Sequence, residues 1–86
     1  MNQEILFNEG AQWQAAEQRV EFTAQQMGAL IRCFISHGLL EQWAGEPLLS
    51  EQAILSAFER LRFDAEERAE ELIEAQEFAE DGGIYL

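Results

Sequence analysis

Four glutamates, Glu67, Glu70, Glu71 and Glu74, stand three or four residues apart near the end of this chain. On a helix, that spacing makes them surface neighbours. Asp64, Glu66, Glu77, Glu80 and Asp81 surround them, so nine of the nineteen residues from Phe63 to Asp81 are acidic, against the single Arg68. Carboxylates at this density serve metal ligation, acid–base chemistry or electrostatic docking of a cationic partner. They also carry a cost. Like charges at helical spacing repel, and Glu74, Glu77, Glu80 and Asp81 crowd a C-terminal end, where negative charge opposes the helix dipole. Such a segment keeps its helix only if an apolar stripe anchors it. The plain alternative to docking is a solvated face that keeps the chain soluble.

Metal chemistry does not fit the pattern. Carboxylate-bridged di-iron sites draw Glu-x-x-His motifs from separate helices, and the one histidine, His37, lies far from the acidic run. Glu80-Asp81-Gly82-Gly83 lacks the alternating oxygen ligands and closing bidentate glutamate of a calcium loop. Cys33 and His37 are four residues apart, two ligands where zinc takes four. As a nucleophile and base they would need hydrogen-bond contact, which strand spacing does not readily give. Cys33 shares its strand face with Ile31 and Ile35, which makes it a buried, inert thiol. His37 is expected on the surface at a strand-to-helix junction. The sequence contains no Gly-rich phosphate loop, nucleophile elbow or HExxH motif. No catalytic residue, cofactor or metal is expected, and the chain does not read as an enzyme.

Composition narrows the partners. In 86 residues there are 17 Asp and Glu and five basic residues, all arginine, for a formal net charge of −12. Such a surface repels phosphate backbones and anionic membranes, so neither nucleic acid nor lipid is an expected direct ligand. Apolar runs fall far short of the roughly 20 residues that span a bilayer. The opening MNQEILF lacks a basic region and an apolar core with a cleavage site. A lone cysteine makes no internal disulfide, and a cytoplasmic address is expected. The length predicts one domain over residues 1–86, burying about 60–65% of the unfolded surface.

The elements that must position these residues divide into two halves. Ile5-Leu6-Phe7 is a short apolar run, ended by the polar stretch NEGAQW. From Arg19, alternation puts Val20, Phe22 and Ala24 on one face and Arg19, Glu21 and Thr23 on the other. Ala29 to Ser36 carries apolar residues on both faces, as a central strand does, with Gly28 in the short connecting turn. Leu39, Leu40 and Trp43 have helical spacing, ended by Gly45 and Pro47. Trp43 is assigned to the core. Ser50 is a helix N-cap with Glu51 in the first turn. Ile54, Phe58, Leu61, Ala65, Ala69, Leu72, Gln76 and Ala79 then form one helical stripe. Phe63 falls opposite that stripe, and Asp64-Ala65-Glu66-Glu67 has capping-box spacing. The pattern predicts either two helices meeting near Phe63 or one helix kinked there, stopped by Gly82-Gly83. Ile84-Tyr85-Leu86 is free to return as a short edge strand. The fold class is α+β: an antiparallel sheet of about three to four strands packed against two to three C-terminal helices.

With these elements placed, the sequence resembles a small bacterial family known as domain of unknown function 1488. The likeness rests on MNQ-x-I-x-F, Trp13, Val20-x-Phe22-x-Ala24, Gly28, and Cys33-x-Ile35-Ser36. Leu55-x-x-Phe58 and Arg62-Phe63-Asp64-x-Glu66-Glu67-x-Ala69-Glu70-x-Leu72-Ile73 carry it furthest, and Gly83-Ile84-Tyr85-Leu86 closes it. Met27 stands where the pattern has Asn, Ile84 where it has Trp, and Asn8 where Pro is common. The resemblance implies an α+β domain of bacterial cytoplasmic type and transfers no activity or catalytic residues.

The expectation is therefore a non-enzymatic module that docks a basic protein surface through Glu66, Glu67, Glu70, Glu71, Glu74, Glu77, Glu80 and Asp81. Mimicry of nucleic acid ranks second, because it needs two acidic rows and the sequence supplies one. An enzyme ranks third. An exposed final strand bearing Tyr85 also offers an edge for pairing into a homodimer.

Overall fold

The computed structural model describes residues 4–86, so the Met1-Asn2-Gln3 opening lies outside the described residues. Strands β1 (Ile5–Phe7), β2 (Gln12–Gln14), β3 (Arg19–Gln26) and β4 (Ala29–Ser36) come first. Helices α1 (His37–Ala44), α2 (Glu51–Arg60) and α3 (Arg62–Glu74) follow, and β5 (Ile84–Tyr85) closes the chain. This is the expected α+β order, with one more strand.

The added strand is β2, inside the polar stretch expected only to end β1. Both β1 and β2 pair antiparallel with the same side of β3, Phe7 opposite Ala24 and Gln12 opposite Glu21. Four residues on one strand thus face two on the other. The surplus bulges out around Gly10, at φ 93, and Asn8 rejoins the sheet through Thr23. Polarity hid this strand because only Trp13 turns towards the core.

Strands β3 and β4 form the longest ladder, from Arg19 opposite Ser36 to Gln26 opposite Ala29. Met27 and Gly28 both take positive φ between them, as a two-residue turn of this hand requires. The sheet is mixed rather than antiparallel throughout. β5 pairs parallel with β4, Cys33 beside Ile84 and Phe34 beside Tyr85, reached through a crossover that contains all three helices. β4 is thereby an interior strand, as its two apolar faces predict.

One face of the sheet is covered. Val20, Phe22, Ala24, Ile31, Cys33, Ile35 and Ile84 meet Leu40, Leu48, Ile54, Ala57, Phe58, Ala65, Ala69 and Ile73 of the helical layer in one buried cluster. Ser36 caps α1 through the Leu39 N–H and Ser50 caps α2 through the Ala53 N–H, at 3.1 and 3.0 Å. Trp43 is half-buried against the cluster. Gly45 ends α1 at φ 75.

Of the two expected arrangements near Phe63, two helices form and meet at Leu61, but the hairpin departs from expectation twice. First, the capping box does not form. Asp64 sits within the first turn of α3, which has no side-chain cap. The joint is instead clamped by Arg62, which reaches Glu59, Glu66 and the Gly10 carbonyl at 2.8, 3.3 and 2.9 Å. Second, α3 ends at Glu74, well before the glycines. Gln76 adopts φ 58, with its N–H donating to Ile73 O and the Glu77 N–H to Leu72 O, both at 2.9 Å. That is a Schellman closure with glutamine in the glycine position. Gln76 and Ala79 are consequently exposed, and Ile73 takes the buried place the stripe had given to its end.

Candidate functional site

Helix α3 buries Ala65, Ala69 and Ile73 and turns its other side outward. Phe63, Glu67, Glu70 and Glu74 follow steps of four, three and four along that outer side, with Glu71 next to them, and all five are exposed. Phe63 is 86% exposed, an unusual position for a phenylalanine. Arg68 pairs with Glu71 at 3.3 Å, both side chains at least half exposed. The four glutamates singled out by spacing are therefore brought together on one face, headed by an aromatic ring.

The other expected members are not. Glu66 is half-buried and bonded to Arg62. Glu77 and Glu80 lie in the irregular segment after the Schellman closure, off the helix. Asp81 is engaged elsewhere: the Tyr85 hydroxyl donates to its Oδ2 at 2.6 Å and the Gly83 N–H to its Oδ1 at 2.8 Å. Those two donors hold its carboxyl below the usual range, the Tyr85 hydroxyl first. The eight acidic residues are thus four on a helix face, two on a loop, and two holding the fold together. A second acidic row does not accompany them on α2. Its exposed side mixes Glu51 and Glu59 with Gln52, Ser56 and Arg60.

The remaining candidates are structural. Cys33 is buried, and desolvation pushes its thiol up to about 12. His37 does stand at the strand-to-helix junction but is half-buried rather than on the surface. Its Nε2 lies 2.8 Å from Leu48 O and 3.2 Å from Glu41 Oε2, while the Glu41 carboxylate accepts the Leu48 N–H at 2.8 Å. Trp13 meets the imidazole edge-on at 5.7 Å. Together they tie the loop after α1 to the sheet. Among the described residues, no three His, Cys, Asp or Glu side chains gather as a metal site would require.

Sequence reasoning missed a second cluster, on the uncovered face of the sheet. Arg19 lies over the Phe34 ring at 3.8 Å, its Nε donating to Gln14 Oε1 at 2.6 Å. Tyr85 stacks on Phe34 with ring centroids 4.8 Å apart. Arg32 grips Glu21 through two bonds of 2.8 and 3.0 Å, which holds the Glu21 carboxyl below its ordinary range. The signal was present in the alternation. Once Gln26 and Ala29 flank a two-residue turn, Glu21 falls opposite Phe34 and diagonal to Arg32.

Fold and surface define a small α+β domain with one sheet face covered by helices and one open. A family model described as "Protein of unknown function (DUF1488)" matches residues 5–86, and the chain belongs to that family. It is 32% identical over 87 residues to the uncharacterized protein YrdB of Escherichia coli strain K12, covering 100% of this chain and 99% of that one. It is also similar to the crystal structure of a DUF1488 family protein of unknown function from Shewanella loihica PV-4. There the TM-score is 0.95 at 43% identity, over 100% of this chain and 94% of the other.

Proposed function

We propose that this protein is a non-enzymatic, cytoplasmic interaction module that docks a basic protein surface through the outer face of α3. The observation carrying this reading is Phe63, 86% exposed at the head of the Glu67–Glu70–Glu74 row. A face that serves only solubility has no use for an exposed phenylalanine. An aromatic anchor ringed by carboxylates fits an apolar pocket rimmed by Arg and Lys, because the ring supplies affinity and the charges supply steering. The non-enzymatic reading is supported by one surface cleft, where two of the three lining carboxylates, Glu59 and Glu66 but not Glu9, are bonded to Arg62 rather than poised for proton transfer. Among the described residues, no helix is long and apolar enough to cross a membrane.

Capture from bacterial lysate on immobilised protein tests the proposal. Basic partners are expected at low salt and lost towards about 0.5 M NaCl, where screening shortens to a few ångströms. Phe63→Ser and the combined Glu67→Gln, Glu70→Gln, Glu74→Gln variant should each lose them while keeping the wild-type melting temperature. Partners retained equally by both variants, or indifferent to salt, overturn the docking face.

A further inference from the structure

The open face of the sheet differs from the rest of the surface in both charge and apolar content. Strand register sets its rows. Leu6, Gln25 and Leu30 lie side by side across β1, β3 and β4. Thr23 and Arg32 form the next row, then Glu21, Phe34 and Tyr85, then Arg19 and Ser36. Among the described residues, seven large apolar side chains stand in solvent, and Leu6, Leu30 and Tyr85 on this face with Met27 at its hairpin end make four of them. The same face sets Arg19 and Arg32 against Glu21 and Asp81, so it is locally balanced within a chain of net charge −12.

We propose that two copies of this chain pair face to face through the open sheet. Charge selects that occupant. Like-charged copies repel wherever carboxylates dominate, and this is the face where they do not. A basic partner is better served by α3, and a patch of one sign would set like charge against either the arginines or the carboxylates of this face. A second copy matches both signs at once. The pairing is also self-complementary, as a two-fold contact must be. An axis along the strands between β3 and β4 sets Gln25 over Leu30 of the second copy and Glu21 over its Phe34, diagonal to its Arg32. The exposed leucines are thereby withdrawn from water between sheets about 10 Å apart. Phe34 is already shielded by Arg19 and Tyr85, so the face closes without rearrangement.

Sedimentation equilibrium on the full chain, over a concentration series at two salt levels, tests this. The mass should double with concentration, and salt should strengthen the dimer by screening mutual repulsion, the opposite of its effect on α3 docking. That opposite sign separates failure here from failure of the docking proposal. Leu30→Glu and Leu6→Glu, each at an exposed site, should weaken the dimer at least about tenfold with unchanged circular dichroism. Leu49→Glu, 88% exposed in the connection between α1 and α2, should leave it intact. A chain that stays monomeric throughout overturns the proposal. So does a dimer that survives both Leu30→Glu and Leu6→Glu, the result expected if β5 edges pair instead.

Discussion

Cys33 shows at the scale of one residue how burial decides chemistry. A thiol with an ordinary value of 9.0 is held to about 12 by desolvation, so the folded chain keeps the proton that the unfolded chain releases. The stabilising contribution is complete below about pH 9 and is lost as pH rises from there towards 12. Two results follow. A thiol reagent at pH 8 should label the native protein only at the rate of unfolding, and at once in denaturant. Replacement by Val should flatten the alkaline decline in stability. Rapid native labelling would show that Cys33 is reachable and reactive, contrary to its place in the core. Asp81 teaches the complementary lesson. It reads as one more member of an acidic run, yet its hydrogen bonds to Tyr85 and Gly83 make it the clasp that returns the chain to the sheet.

Among the elements, α3 has the sharpest boundary between sequence and structure. Its stripe continues past Glu74 on paper, but the helix closes through Gln76 at φ 58. Two costs compete there. Extending the helix would add Glu77 and Glu80 to an end that already opposes negative charge, whereas closing it forces a residue with a Cβ into the left-handed region. The closure wins. Gln76→Gly should therefore stabilise the protein by about 1 kcal/mol, since glycine occupies that region without penalty. Thermal or urea unfolding measures this directly, and a destabilised variant would mean the closure is not at Gln76. Met27, at φ 52 in the hairpin turn, is strained in the same way. The β3–β4 ladder tolerates it because eight residue pairs fix the register.

For the whole molecule, the separation of charge is the organising feature. Helices present carboxylates on one side, while the open sheet holds a balanced set around Arg19 and Arg32. Self-repulsion within a chain of net charge −12 weakens the compact state. Raising NaCl from about 0.05 to 0.5 M should then raise the melting temperature by a few degrees, because exposed charges are screened and buried apolar contacts are not. A melting temperature that falls with salt would mean that the Arg32–Glu21 and Arg62–Glu59 pairs outweigh the repulsion. Measured beside dimerisation, the salt series distinguishes the fold's own response from that of association.

By itself the sequence determined what local periodicity and charge can determine. These are the two long strands and their turn, the Ser50 cap, the buried stripe through Ile54, Phe58, Ala65 and Ala69, and the row Glu67–Glu70–Glu71–Glu74 facing water. Each depends on spacing along one element, and spacing is visible in one dimension. Tertiary structure decided the rest. It recruited Gln12–Gln14 as a strand through pairing with β3, ended α3 early, set β5 parallel to β4, and withdrew Glu66 and Asp81 from the acidic face. It also gathered Arg19, Arg32, Phe34 and Tyr85 on the open sheet. Those outcomes depend on partners distant in the chain, whose hydrogen bonds and packing outweigh the local preferences that a sequence displays.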